Sequence, residues 1–112
     1  MSEHRGRRNV NVRIATYNVH RCRGMDRRTI PSRIADVIRE MNADVIALQE
    51  VIGAGPSGPG QAEEIGAALG MGWVMHSVRM LRNHHFGNVV MSRFPVAHHG
   101  HYDMSWRTCE AR

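Results

Sequence analysis

Lysine is absent from the chain, so every basic side chain among its 15 positively charged residues, set against 10 acidic ones, is arginine. The net charge is +5 and the sequence pI is near 10.5. A planar guanidinium fork suits bidentate contact with phosphate, which makes an anionic ligand compatible with this composition. A GC-rich codon usage would produce the same bias. Cysteine is scarce: Cys22 and Cys109 stand far apart without paired spacing, which indicates neither a disulfide framework nor a cysteine-type zinc site. Aromatic residues make up only 5% of the chain, and the RGRR segment at 5–8 has none interleaved with it. A stacking platform for single-stranded nucleic acid is therefore not indicated, and residues 1–9 read as a disordered basic tail. No apolar run approaches the length of a membrane span, and the charged N-terminus lacks the apolar core of a signal peptide. The expectation is a soluble, cytoplasmic chain. Only four prolines and a hydrophobic content of 42% argue against disorder, so 12.7 kDa reads as one globular unit or a piece of one.

What is present is organised in alternating elements. Val10, Val12, Ile14 and Thr16 alternate with polar residues up to Tyr17-Asn18, the pattern of a half-buried strand with Asn18 at its C-terminal end. Residues 20–30 are polar, with Gly24 and Asp26, and read as a loop. Pro31 then opens a helix over 31–42, in which Ile34, Val37, Ile38 and Met41 form one apolar stripe. The continuous run Val45-Ile46-Ala47-Leu48 has the character of a strand covered on both faces, from which Gln49-Glu50 emerge. Strand, helix and strand in this order form a crossover unit with parallel neighbours, and Asn18 and Glu50 would share the C-terminal end of the sheet, where α/β proteins bind ligands.

The second half is less regular. GAGPSGPG at 53–60 reads as a structural loop, because the lysine-serine or strand-to-helix signatures of a phosphate-cradling glycine loop are missing. A short helix over 61–69 places Ile65, Ala68 and Leu69 on one side and stops at Gly70. Strands are expected at 73–78, 86–91 and 96–102, with Arg93-Phe94-Pro95 turning the last two into an antiparallel pair. Met71, Met75, Met80 and Met91 read as core filler.

A carboxylate at the rim of a buried strand is costly unless it meets a cation, which makes Glu50 a candidate ligand for a hard divalent metal such as Mg2+. Asn18 could donate an amide hydrogen bond to a phosphate on the same metal. Taken singly, each has a plainer reading: asparagine at a strand end is common turn chemistry, and glutamate after an apolar strand is often a return to solvent. The chain carries eight histidines, and His98, His99, His101 and Asp103 could bind zinc or nickel, although a solvated strand accounts for them as well. His20, two residues after Asn18, and His84 or His85 could also face the cleft.

Three stretches together resemble the endonuclease/exonuclease/phosphatase superfamily of metal-dependent phosphoesterases: RIATYNVHRCRGMD at 13–26, RIADVIREMNADVIALQEV at 33–51 and FGNVVMSRFPV at 86–96. The resemblance implies an α/β fold, part of a four-layer α/β sandwich with helices outside two packed mixed sheets. It implies Glu50 as a ligand for Mg2+ (or Mn2+), Asn18 as a catalytic residue that holds the phosphate or orients the nucleophile, and water attack on a phosphoester in nucleic acid, phospholipid or phosphoinositide. Two later family motifs, Asp-x-Asn and Ser-Asp-His, are absent from the sequence. Residues 10–112 are accordingly expected to be the N-terminal portion of such a domain, inactive alone and able to self-associate through an unpaired sheet face. The alternative is a non-catalytic remnant or interaction module that keeps half of the fold.

Overall fold

The structure, a computed structural model, describes residues 11–56 and 58–102. The basic tail, Cys109 and Asp103 lie outside the described residues. Four strands, β1 (Ile14–Asn18), β2 (Val45–Ile52), β3 (Gly72–Leu81) and β4 (His84–Ser92), form one mixed sheet in the order β1-β2-β4-β3. The first two are parallel, joined by helix α1 (Pro31–Met41), and the other two neighbouring pairs are antiparallel. Helix α2 (Gln61–Leu69) connects β2 to β3.

Alternation along the strands decides which face is covered. Ile46 and Leu48 of β2 and Val89 and Met91 of β4 point to one side and form a single core with Ala35 and Ile38 of α1 and Ala62 and Ile65 of α2. Pro31 supplies the preset first turn of α1, and Asn42 ends it in the left-handed conformation. Ala35 enters the core because a methyl side chain lets the helix lie close to the sheet. Val37, which the apolar stripe had included, stays 38% exposed. In α2 the buried side is Gln61, Ala62, Ile65 and Gly66, while Ala68 faces solvent.

Neither helix covers the other face of the sheet, although His101 stacks on His76 there. Ile14, the apolar residue of β1 on that side, is 74% exposed, and Val90 of β4 is 40% exposed. The alternation in β1 thus marks an apolar face, but it is the one turned away from the helices. Ala15 and Tyr17 are the residues that pack on the core. Val12 lies before the strand begins.

Three expectations are corrected. Residues 96–102 form no strand, so Arg93-Phe94-Pro95 does not turn a hairpin. Arg93 instead reaches back to the loop between α1 and β2, donating to Asp44 Oδ1 at 3.2 Å and Asn42 Oδ1 at 2.8 Å, while Ser92 Oγ accepts from the Phe94 N–H at 2.9 Å. The actual hairpin is β3–β4, closed by Arg82-Asn83 with φ of 50° and 68°, the twist that suits a two-residue connection. Arginine is an atypical first residue for such a turn, which hid it. Met80 is 55% exposed, whereas Met71 and Met91 are buried and Met75 packs against the core.

Among the described residues of the glycine-rich segment, Gly55 and Gly60 lie hard against neighbouring chain. A Cβ on Gly60 would meet the Gly53 carbonyl carbon at 2.5 Å, and one on Gly55 would meet the His84 ring at 2.6 Å. Gly55 and Gly60 thus serve close approach between chain segments, while Gly58, with open space around it, takes a φ of 143°.

Candidate active site at the end of the parallel strand pair

β1 is shorter than its neighbour, and this difference makes the site. Register runs from Ile14↔Val45 to Asn18↔Gln49, after which β1 leaves the sheet and β2 continues to Ile52. Between Leu48 and Val51 the pairing with β4 slips, because β2 carries one extra residue there. Such a bulge re-aims a side chain. Glu50 sits in it with φ of 57°, an uncommon conformation for a residue with a Cβ. Glu50 is therefore not where the strand emerges, as the apolar run suggested. It stands on a kink within a longer strand, beside the point where β1 has ended.

Asn18 Nδ2 donates to Glu50 Oε2 at 2.7 Å, and Asn18 Oδ1 accepts from the His20 backbone N–H at 3.0 Å. The second contact fixes the orientation of the amide: a backbone N–H can only donate, so the oxygen must face it and the NH2 must face the carboxylate. His20 Nδ1 lies 3.5 Å from Glu50 Oε1, with the imidazole 72% and the carboxylate 40% exposed. Asn18, His20 and Glu50 are thus brought together. His84 is drawn to the glycine-rich loop instead, with Nδ1 3.0 Å from the Gly53 carbonyl oxygen. His101 stacks on His76 with ring centroids 3.3 Å apart, and no group of three or more metal-ligating side chains occurs among the described residues.

His20 belongs to a tight turn, His20–Cys22, whose three residues have φ of 50°, 57° and 57°. Consecutive left-handed residues with side chains are strained, at roughly 1–2 kcal/mol each. The turn is closed by the Cys22 N–H to the Val19 carbonyl at 2.9 Å and the Arg23 N–H to the His20 carbonyl at 3.0 Å. The loop after it is pinned to α1 by Arg33, which donates to both oxygens of Asp26 at 2.9 and 3.1 Å. That guanidinium holds the Asp26 carboxyl below the usual carboxylate range. Cys22 lies beneath the turn, and burial, with a smaller contribution from Glu64, pushes its thiol up to about 12. Burial thus disfavours the thiolate, the nucleophilic form of this side chain.

Sequence reading missed Gln61. Its side chain is buried, with Nε2 donating to the Arg21 carbonyl at 2.7 Å and Oε1 accepting from the Ile52 N–H at 3.0 Å. The available signal was its position four residues before Ile65, on the buried side of α2.

A family model described as Endonuclease/Exonuclease/phosphatase matches residues 15–111. The chain belongs to the endonuclease/exonuclease/phosphatase family. This is a family of phosphoesterase- and nuclease-type hydrolases whose members are generally metal-dependent. The chain is 27% identical to the uncharacterized protein YbhP of Escherichia coli K12 over 110 residues, covering 89% of this chain and 44% of that protein. The YbhP of Shigella flexneri matches to the same extent. Among solved structures, an endonuclease/exonuclease/phosphatase from Beutenbergia cavernae DSM 12333 matches with a TM-score of 0.57 and 31% identity, over 75% of this chain and 26% of that one. The chain thus spans less than half the length of these relatives, and its mixed sheet with helices is consistent with part of the family's fold. No helix among the described residues is long and apolar enough to cross a membrane.

Proposed function

We propose that the chain carries the Asn18–Glu50 part of a metal-dependent phosphoesterase centre, and that residues 10–112 are the N-terminal portion of the domain. The observation that supports this is the 2.7 Å contact between Asn18 Nδ2 and Glu50 Oε2 at the end of a parallel strand pair. The donor set suits a hard cation: Glu50 offers a half-exposed carboxylate, and Mg2+ or Mn2+ can complete its shell with water and phosphate oxygens. When bound, such an ion offsets charge on the phosphoryl oxygens and activates water. The contributions of the chain itself are positional. Glu50 would hold the ion, Asn18 would orient that carboxylate and turn its second amide hydrogen to a phosphoryl oxygen, and His20 would fix the amide through its backbone.

Neither the Asp-x-Asn nor the Ser-Asp-His string is in the sequence, so the general base is not among these residues by that motif. The 112 residues alone should hydrolyse bis(4-nitrophenyl) phosphate no faster than buffer. Within a domain of the relatives' full length they should turn it over with Mg2+, stop with EDTA and recover on adding metal back. Turnover that persists in EDTA would overturn the metal-dependent reading.

One observation favours the second reading, an interaction module: the helix-free sheet face with Ile14 and Val90 exposed. A second copy of this face is a matching apolar partner. Sedimentation equilibrium of the 112-residue chain should then show a dimer that Ile14→Asp dissociates. A monomer at all concentrations would remove this reading.

A further inference from the structure

The contacts of Gln61 go beyond filling the core. Gly53 donates its N–H to the His85 carbonyl in β4 at 2.7 Å, so alternation turns the Ile52 N–H toward the β1 side, where β1 has already ended. Gln61 Oε1 takes that orphaned donor at 3.0 Å. From the same amide, Nε2 reaches the Arg21 carbonyl at 2.7 Å, in the middle of the strained turn. One buried side chain therefore ties the strand two residues beyond Glu50 to the turn one residue beyond His20. Both tied segments hold left-handed residues with side chains, Glu50 on one side and His20, Arg21 and Cys22 on the other. Such conformations persist only where the surroundings enforce them. A neutral primary amide can accept from one N–H through its oxygen while donating to a separate C=O through its nitrogen. A carboxylate would face the Arg21 carbonyl oxygen with a second acceptor, and an apolar group would take this partner from both part-buried backbone groups.

We propose that Gln61 is the positioning residue of this site, setting the separation between the turn that orients Asn18 and the bulge that carries Glu50. In its metal-binding consequence the proposal rests on Glu50 being the cation ligand; in its geometric consequence it does not. The test uses the isotope-labelled 112-residue chain and two substitutions. Gln61→Met keeps the length of the side chain and removes both hydrogen bonds. Gln61→Glu keeps the acceptor for Ile52 and, when ionised, loses the donor to Arg21.

Without metal, Gln61→Met should shift the Asn18 side-chain amide resonances toward those of a solvent-exposed asparagine while the β2–β4 amides keep their dispersion. With metal, its Mn2+ affinity, read from water-proton relaxation, should fall by about 10–100-fold, the usual effect of losing a group that orients a ligand. Gln61→Glu should move the His20 and Arg21 amides and leave Ile52 in place. Wild-type Asn18 resonances in both variants would overturn the proposal. Should Gln61→Met fail to fold, unchanged His20, Arg21 and Asn18 signals in Gln61→Glu would overturn it alone. If Mn2+ binding to the unaltered chain is indifferent to Glu50→Gln, the metal reading fails, and the metal-free resonances still decide the role of Gln61.

Discussion

Glu50→Ala, placed in a domain of the relatives' full length, is expected to lower metal-dependent phosphodiester turnover by about three orders of magnitude, the scale of losing several kcal/mol of charge stabilisation. The carboxylate lies against Asn18 at 2.7 Å, so its removal takes away both the proposed ion ligand and the acceptor that orients the amide. Stability should respond in the opposite sense with the right substitution. Glu50 has φ of 57°, which a glycine adopts without a steric penalty. Glu50→Gly should therefore melt no lower than the unaltered protein while turnover is lost, because strain at a bulge is relieved as the ligand disappears. Paired turnover and calorimetry measurements check this. Unchanged turnover in Glu50→Ala would remove Glu50 from the metal site, and a lower melting temperature in Glu50→Gly would show that the bulge is not strained.

Gly87→Ala is expected to be the most destabilising single methyl addition in the sheet. A Cβ at this position would fall on the His76 carbonyl oxygen and within 2.9 Å of the Val78 nitrogen, and both are backbone atoms of the paired strand. The register between β3 and β4 slips just there, between Ser77 and Arg79, so the two backbones approach where β3 carries its extra residue. Neither strand can move aside without breaking its ladder. A loss of about 3 kcal/mol or more follows from overpacking a site that cannot relax, a large part of the stability of any small domain. Urea denaturation should show this as a midpoint shift. Gly100→Ala is the control: a Cβ there meets nothing within 4 Å, and its effect should stay within about 0.5 kcal/mol. Equal midpoints for the two variants would mean that the close approach at Gly87 is not a constraint.

The two predictions depend on irregularities that sequence patterns do not announce. Periodicity reports regular elements well: α1 was legible from Pro31 and its apolar spacing, and α2 ended at Gly70, whose φ of 66° is that of a helix stop. The parallel arrangement of β1 and β2 was legible from the crossover between them. A bulge adds one residue without changing composition, so the run Ala47-Leu48-Gln49-Glu50 looked like a strand reaching solvent when it was a strand kinking and continuing to Ile52. The β3–β4 hairpin was missed because its turn is Arg82-Asn83, without the glycine that usually marks it. The strand expected at 96–102 was absent because alternation alone does not make a strand without a neighbour to pair with, and Arg93 is committed to Asp44.

For the site, the amino-acid sequence alone determined the family, and a local motif singled out Asn18 and Glu50 as the residues proposed here to carry the chemistry. Tertiary structure decided how they meet. The contact between them spans 32 residues, and it depends on β1 stopping short, on the extra residue in β2 and on Gln61, 40 residues from the carbonyl it holds. Local pattern encodes which way a side chain faces along its own element. The distance between two side chains on different elements is a property of register and of the buried hydrogen bonds that lock it, and these exist only once the chain has folded.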